Sequence, residues 1–195
     1  MRPGTTIYFI RHGETDWNAA RRYQGQVDIP LNDKGRGQAL RNGRILCQLL
    51  PQIADCEFVS SPLGRARETM AIIRTALGLA PDAYRVDPAI VELSYGLWEG
   101  VLQDDLPMID PNGIAERSLD PFHWRPQNGE SYADLLARTI SWVDGVERDT
   151  VVASHGGVSR CLRAHLLGLD PRGIPELESP QDRVLVIRRG EMSWM

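Results

Sequence analysis

Along the 195-residue chain, short β-branched apolar runs alternate with longer stretches of helical period, a pattern that predicts strands interleaved with helices. Thr5 to Ile10 is the first such run and ends abruptly at Arg11-His12-Gly13. It reads as a covered strand of an α/β sheet that delivers polar residues at its carboxyl end, where open α/β sheets bind ligands. Arg11 to Leu31 shows no clear period and carries Trp17, Asn18, Tyr23, Gln24 and Gly25, a mixture suited to a site loop. Ala39, Gly43, Leu46 and Leu50 then recur at helical spacing behind a cap at Asn32, predicting a packing helix over 33–50 that stops before Pro51. Its Gly35-Arg36-Gly37 follows no strand and has Leu40 in the third glycine position, so it is not a dinucleotide loop.

Cys56 to Ser60 predicts a second strand, and Ser61-Pro62-Leu63-Gly64-Arg65 turns from it into a helix reaching about Leu77. Residues 101–128, rich in Asp and Pro with little period, are expected to form an irregular insert that covers the site. Glu130 to Glu147 is amphipathic, with Tyr132, Leu135, Leu136, Ile140, Val143 and Val146 on one helical face. Thr150 to Ser154 repeats the opening pattern, a strand ending in His155-Gly156-Gly157 followed by a helix to Leu167. Arg183 to Arg189 predicts the final strand, and Gly190 to Met195 a short tail without assigned structure. No repeat or linker divides the chain, so a single domain over 1–195 is expected.

Composition narrows the classes. With 42% hydrophobic and 25% charged residues the chain has enough apolar surface for one sizeable core. The net charge of -4 offers nothing global to nucleic acid or an anionic membrane, so any anion must be met by a local group of arginines. Cys47, Cys56 and Cys161 are odd in number and lack metal-ligand spacing; they are expected to be buried thiols in a reducing compartment, and the cytoplasm is the expected location.

The three strand-to-loop junctions are expected to open on one edge of a parallel sheet and to bring together Arg11, His12, Arg65 and His155, with Glu92, embedded in Ile90-Val91-Glu92-Leu93-Ser94-Tyr95-Gly96, as the candidate acid. Glu99 is its competitor, between Trp98 and Gly100. Arg65 falls in the first turn of its helix, which is unfavourable for the helix dipole unless an anion binds at the same end. Two histidines, two arginines and a glutamate suit phosphoryl transfer, in which a neutral imidazole attacks phosphorus, arginines hold the oxygens and a carboxylic acid protonates the leaving group. Neither metal nor organic cofactor is required. A metal held by His12, His155 and acids such as Glu14 is disfavoured by their spacing and by the adjacent arginines. His123 and His165 read as structural.

Arg11-His12-Gly13-Glu14-Thr15, Ser60-Ser61-Pro62-Leu63-Gly64-Arg65-Ala66, Glu92-Leu93-Ser94-Tyr95-Gly96 and Ser154-His155-Gly156-Gly157 together resemble, in order, the motifs of the histidine phosphatases, the superfamily that includes cofactor-dependent phosphoglycerate mutases. The resemblance implies a three-layer α/β/α sandwich whose sheet is mainly parallel with one antiparallel strand. It also implies that His12 is the nucleophile, that Arg11, Arg65 and His155 bind the phosphoryl group together with Asn18 and Gly156, and that Glu92 is the proton donor. Gln24 and Gly25 fall where mutases place substrate-contacting loop residues. The substrate implied is a small phosphorylated metabolite. Mutases of this family carry additional basic residues after the acid motif, whereas that region is net acidic here, which favours a phosphatase; Tyr95, three residues after Glu92, matches the mutase pattern. A catalytically silent module that holds phosphorylated ligands is the alternative from another class. Oligomeric state is not legible.

Overall fold

The computed structural model describes residues 1–50, 55–188 and 190–195. Six strands, β1 (Ile7–Arg11), β2 (Glu57–Ser60), β3 (Arg85–Val86), β4 (Thr150–Ser154), β5 (Val184–Arg188) and β6 (Glu191–Trp194), form one sheet in the order β3-β2-β4-β1-β5-β6. The pairs β1/β4, β4/β2 and β2/β3 are parallel, while β5 pairs antiparallel with both β1 and β6. Among the described residues β5 is thus the strand that opposes the rest, as the family resemblance implies.

Period-two alternation divides the core between the two faces of the sheet. Ile7 and Phe9 of β1 pack with Leu135, Val143 and Leu162, from helices α6 (Tyr132–Asp144) and α7 (Gly156–Leu167). Tyr8 and Ile10 face the other way, towards Leu46, Met70 and Ile73 of α2 (Asp33–Leu49) and α3 (Gly64–Ala76). Helices therefore cover both faces of the sheet, and the short α1 (Asp16–Ala19) lies in the loop after β1. The α2 cap is the predicted one, with the Asn32 side chain accepting from the Gly35 N–H at 2.9 Å. Gly35 has a further reason to lack a side chain: a Cβ there would lie 2.2 Å from the Glu14 carbonyl oxygen, so the first turn of α2 rests directly on the backbone that follows His12.

Three expectations need correction. Residues 101–128 are not irregular throughout, since they contain α4 (Leu106–Ile109) and α5 (Pro111–Leu119). Pro111 opens α5 and the Asp110 carboxylate accepts from the Gly113 N–H at 2.9 Å, so its start signal is a cap rather than a period. Its buried residues reduce to Gly113, which leaves no apolar stripe to detect. The tail forms β6, an edge strand that is exposed at Glu191, Met192 and Ser193 and exists by pairing with β5. Of the three free thiols only Cys161 is buried, whereas Cys47 is exposed. Among the described residues no helix is long and apolar enough to cross a membrane.

Candidate active site

Register sets the site before any side chain is considered. Arg11 lies opposite Ser154 and Ser60 opposite Ala153, so β1, β2 and β4 end level with one another. The ladder continues one residue further, His12 N–H donating to Ser154 O at 2.8 Å and Ser61 N–H to Ala153 O at 3.0 Å. A cavity of about 370 Å³ opens at this edge, bordered by Arg11, His12, Asn18, Gln24, Gly25, Arg65, Glu92 and Gly156. His155 is fully buried beside it, its ring centroid 5.2 Å from that of His12.

The His12 Nδ1 is 2.8 Å from the Gly13 carbonyl oxygen, a group that only accepts, so Nδ1 carries the proton. The lone pair is then on Nε2, which receives the Arg65 Nε–H at 3.3 Å. Burial, reinforced by Arg65 and Arg11, pushes the His12 pKa well below 6.5, so the ring is neutral at pH 7. The same forces act on His155, whose Nε2 is 2.6 Å from Ser61 Oγ while its Nδ1 has no partner. Arg11 Nε is likewise buried without a partner. Two orphaned polar atoms beside one cavity leave positions that a ligand's oxygens would satisfy.

Arg65 is 1% exposed and braced on every side. Its Nη groups donate to Val27 O at 2.8 Å and Gly25 O at 2.6 Å. In the amide orientation that satisfies both of its ends, Gln24 shares the Arg65 Nε–H with His12, accepting it at 2.6 Å, and donates to Thr15 Oγ1. Burial pulls the Arg65 pKa down to about 10, with Glu92 and Asp28 opposing, so it remains a cation at neutrality. The anion expected at the start of α3 is present, but it is Asp28, whose carboxylate accepts from Gly64 N–H at 2.6 Å and Arg65 N–H at 3.4 Å. The helix end is therefore occupied by the protein itself, and the same carboxylate lies 3.6 Å from Arg65 Nη1. Asn18 Oδ1 accepts from Gln181 Nε2 at 2.9 Å, and Gln181 also donates to His12 O at 3.1 Å, while Arg11 Nη1 donates to Ser179 O at 2.6 Å. The segment 177–182 thus straps the first loop in place.

Glu92 reaches the cavity from the opposite wall. Its carboxylate accepts from Leu93 N–H at 2.9 Å and from Gly157 N–H at 3.1 and 3.3 Å, in the first turn of α7. A Cβ at Gly157 would stand 2.5 Å from Glu92 Oε1, which is why glycine follows Gly156 here. Behind the acid, the Arg138 guanidinium of α6 donates to the carbonyls of Ala89, Val91 and Glu92 and to Glu130. Glu99 does not line the cavity; it accepts from the N–H groups of Gln26, Val27 and Tyr95 and ties two loops together.

Tyr23 of the expected site loop also lines the cavity, and sequence reasoning missed a second set of lining residues: Arg22, Gln103, Arg117, Tyr132 and Arg160. Arg160 had a legible signal, because it lies four residues after Gly156 on the same helix face. Arg117 lies on α5, and it changes the charge argument made for residues 101–128. The acids there turn elsewhere: Asp104 pairs with Arg21, Asp110 caps α5 and accepts from Trp98 Nε1, and Asp120 pairs with His123. The insert presents a cation to the site, so repulsion of a second phosphate by its acids does not operate.

Among the described residues no group of three or more His, Cys, Asp and Glu is placed to hold a metal ion. Glu14 instead bonds Lys34 and Asn32. His165 Nε2 lies 4.0 Å from Asp144, and neither His123 nor His165 borders the cavity. A larger hollow, about 560 Å³, lies at the amino-terminal end of β2, the end opposite to the site. Three cations border it: Arg85 is committed to Glu57 and Asp87, Arg74 to the Ala80 carbonyl with its guanidinium over the Phe58 ring, and Arg148 is the third.

The model of the histidine phosphatase superfamily (branch 1) matches residues 7–195, and the chain belongs to that family. It is similar to glucosyl-3-phosphoglycerate phosphatase of Mycolicibacterium vanbaalenii, at 32% identity over 88% of this chain and 78% of the relative. A probable phosphoglycerate mutase GpmB of Serratia proteamaculans is 33% identical over 84% of this chain and 75% of its own. The solved structure of a mycobacterial glucosyl-3-phosphoglycerate phosphatase in complex with VO3 superimposes with a TM-score of 0.81 at 29% identity, covering 98% of this chain and 96% of the other.

Proposed function

We propose that the protein is a phosphomonoester phosphatase that works through a phosphohistidine on His12 and acts on a small phosphorylated metabolite in the cytoplasm. The observation that carries this reading is the state of His12: neutral, with Nδ1–H fixed to Gly13 O and the Nε2 lone pair directed among guanidiniums at the cavity wall. In the first step Nε2 forms a bond to phosphorus as the ester P–O bond breaks. Arg11, Arg65, the unpartnered Nδ1 of His155 and Asn18 stabilise the charge spread over the equatorial oxygens. Glu92 gives its proton to the departing oxygen, so the alcohol leaves neutral. In the second step Glu92 takes a proton from water, the water oxygen bonds to phosphorus, the N–P bond breaks, and inorganic phosphate leaves with Glu92 again protonated. No step needs a metal or an organic cofactor.

Acid-labile labelling by a phosphorylated substrate, measured with wild type and His12→Ala, tests the proposal. Labelling of wild type and its loss in the variant are expected; turnover by wild type without His12-dependent labelling refutes the mechanism. The arginines of the outer cavity keep one further reading alive, that of a mutase whose second phosphate they hold. Efficient conversion of 3-phosphoglycerate to 2-phosphoglycerate, primed by 2,3-bisphosphoglycerate, would put that reading first.

A further inference from the structure

Ser61 stands where β2 leaves the sheet and has no part in the two steps above, yet it is fully buried against His155. Its N–H donates at 3.0 Å to the carbonyl of Ala153 in β4, two residues before His155, so neighbouring strands deliver the hydroxyl and the imidazole to one level. Pro62 disfavours helical backbone at Ser61, and the Ser61 carbonyl accepts from Ser60 Oγ at 2.9 Å. The backbone is thus held on both sides of the residue, and it sets Ser61 Oγ 2.6 Å from His155 Nε2.

The neighbours of this hydroxyl decide which way its proton points. The Leu63 N–H can only donate, and it reaches Ser61 Oγ at 3.4 Å, taking up one of the oxygen lone pairs. Among the described residues the other hydrogen-bond partner of Oγ is His155 Nε2, so the hydroxyl proton has its acceptor there. The reverse arrangement, with Nε2–H donating to Oγ, would leave the hydroxyl proton buried and unpaired, which folded chains avoid. Burial, reinforced by Arg65, keeps His155 neutral at pH 7, and a neutral imidazole carries a single proton. A lone pair at Nε2 therefore puts that proton on Nδ1, the atom without a partner beside the cavity.

We infer that Ser61 is a positioning residue for phosphoryl transfer: by donating its hydroxyl proton to His155 Nε2 it locks the imidazole in the Nδ1–H tautomer, so that His155 meets the phosphoryl oxygens with an N–H. The inference rests on the phosphatase reading. The other tautomer would turn a lone pair towards the same oxygens and replace attraction by repulsion. Both histidines of the site then share one tautomer and differ in which nitrogen the protein occupies. His12 has its Nδ1–H tied to the Gly13 carbonyl and keeps its Nε2 lone pair for phosphorus, whereas His155 has its Nε2 tied to Ser61 and keeps its Nδ1–H for oxygen.

The test combines nitrogen NMR of protein labelled with 15N in its imidazoles, the His155 signals identified by their loss in His155→Gln, with hydrolysis of p-nitrophenyl phosphate by the same samples at neutral pH. Wild type is expected to show a pyrrole-type nitrogen at His155 Nδ1 and a pyridine-type nitrogen at Nε2. Ser61→Ala is expected to lose that preference and to fall in kcat by about 10- to 100-fold, less than the roughly 100- to 1,000-fold of deleting an oxyanion donor outright, because the active tautomer persists as a minor form. Ser61→Thr, which keeps the hydroxyl, is expected to restore both the spectrum and the rate. A wild-type spectrum with the proton on Nε2 overturns the inference, and it does so even where the variants fail to fold. A Ser61→Ala protein that keeps the wild-type spectrum overturns it as well, any loss of rate then coming from packing, and so does one that loses the tautomer at an unchanged rate. The phosphatase reading fails separately, on the rate and not on the spectrum, where wild type hydrolyses no phosphomonoester, p-nitrophenyl phosphate included.

Discussion

Arg138 is expected to control the proton donor without touching substrate. Its guanidinium donates to Ala89 O at 2.8 Å, Val91 O at 2.5 Å and Glu92 O at 3.0 Å, and to Glu130 at 3.1 and 3.3 Å. The stretch that carries Glu92 has no regular structure of its own, so these bonds stand in for a ladder. Arg138→Met keeps the aliphatic stem but leaves three carbonyls and a carboxylate without their donor. Breaking a buried pair costs about 3–5 kcal/mol. Arg138 and Glu130 are 20% and 28% exposed, and Glu130 keeps the Ser94 N–H at 3.0 Å, so the lower end, about 3 kcal/mol, applies. For a chain of this size that is a fall in melting temperature of about 6–12 °C. The kinetic consequence separates the role from mere scaffolding. A displaced acid harms substrates with poor leaving groups most, so kcat/KM is expected to fall at least about tenfold more for an alkyl phosphate than for p-nitrophenyl phosphate. Glu92→Gln provides the reference ratio, and Arg138→Lys, with a single point donor, is expected to fall between wild type and Met. A melting temperature that drops while the alkyl-to-aryl ratio stays at the wild-type value would refute the reasoning.

Two further outcomes can be checked directly. His12 and His155 are held neutral in the folded chain well below pH 6.5, whereas in the unfolded chain they bind protons below that value. The unfolded state therefore gains protons first as pH falls, and stability should decline below 6.5 by about 1.4 kcal/mol per pH unit for each histidine, with no such slope above it. Melting curves between pH 8 and 5.5 measure this; His12→Asn should roughly halve the slope, and a flat profile would contradict the depressed values. Gly157→Ala places a methyl group 2.5 Å from Glu92 Oε1 and 2.8 Å from Leu135 Cδ2. It should lose activity about a hundredfold, mostly in kcat, at a stability cost of about 1–3 kcal/mol, and crystallography of the variant should show Glu92 moved from the Gly157 N–H.

Strand ends were the legible part of this protein. A β-branched run that stops at a histidine and glycine marks both a buried strand and its exit, and with β1, β2 and β4 in register the exits could not fail to meet. The helix cap at Asn32 was equally plain, its side chain accepting from a backbone N–H three residues on. What escaped had little local signal. β6 borrows its order from β5, and α5 is nine residues long with a polar surface, so the Arg117 it carries looked like one base among many acids. Asp28, exposed in a loop, gave no hint that it would take the free N–H groups of α3. Net charge over a segment failed as a guide because side-chain direction, which depends on tertiary packing, decides which charges a ligand meets.

The strap over residues 177–182 has a consequence for the timing of activity during biosynthesis. Arg11, His12 and Asn18 leave the ribosome some 160 residues ahead of the Ser179 carbonyl and the Gln181 amide that fix them. Asn42 and Arg41 of α2 in turn donate to the carbonyls of Gln181 and Asp182, which clamps the strap to the amino-terminal half. A nascent chain that stops after α7 would therefore hold Arg11, His12, Arg65, Glu92 and His155 and still present His12 unsteadied. The ordered site would then follow the docking of the strap and the closing of β5 against β1.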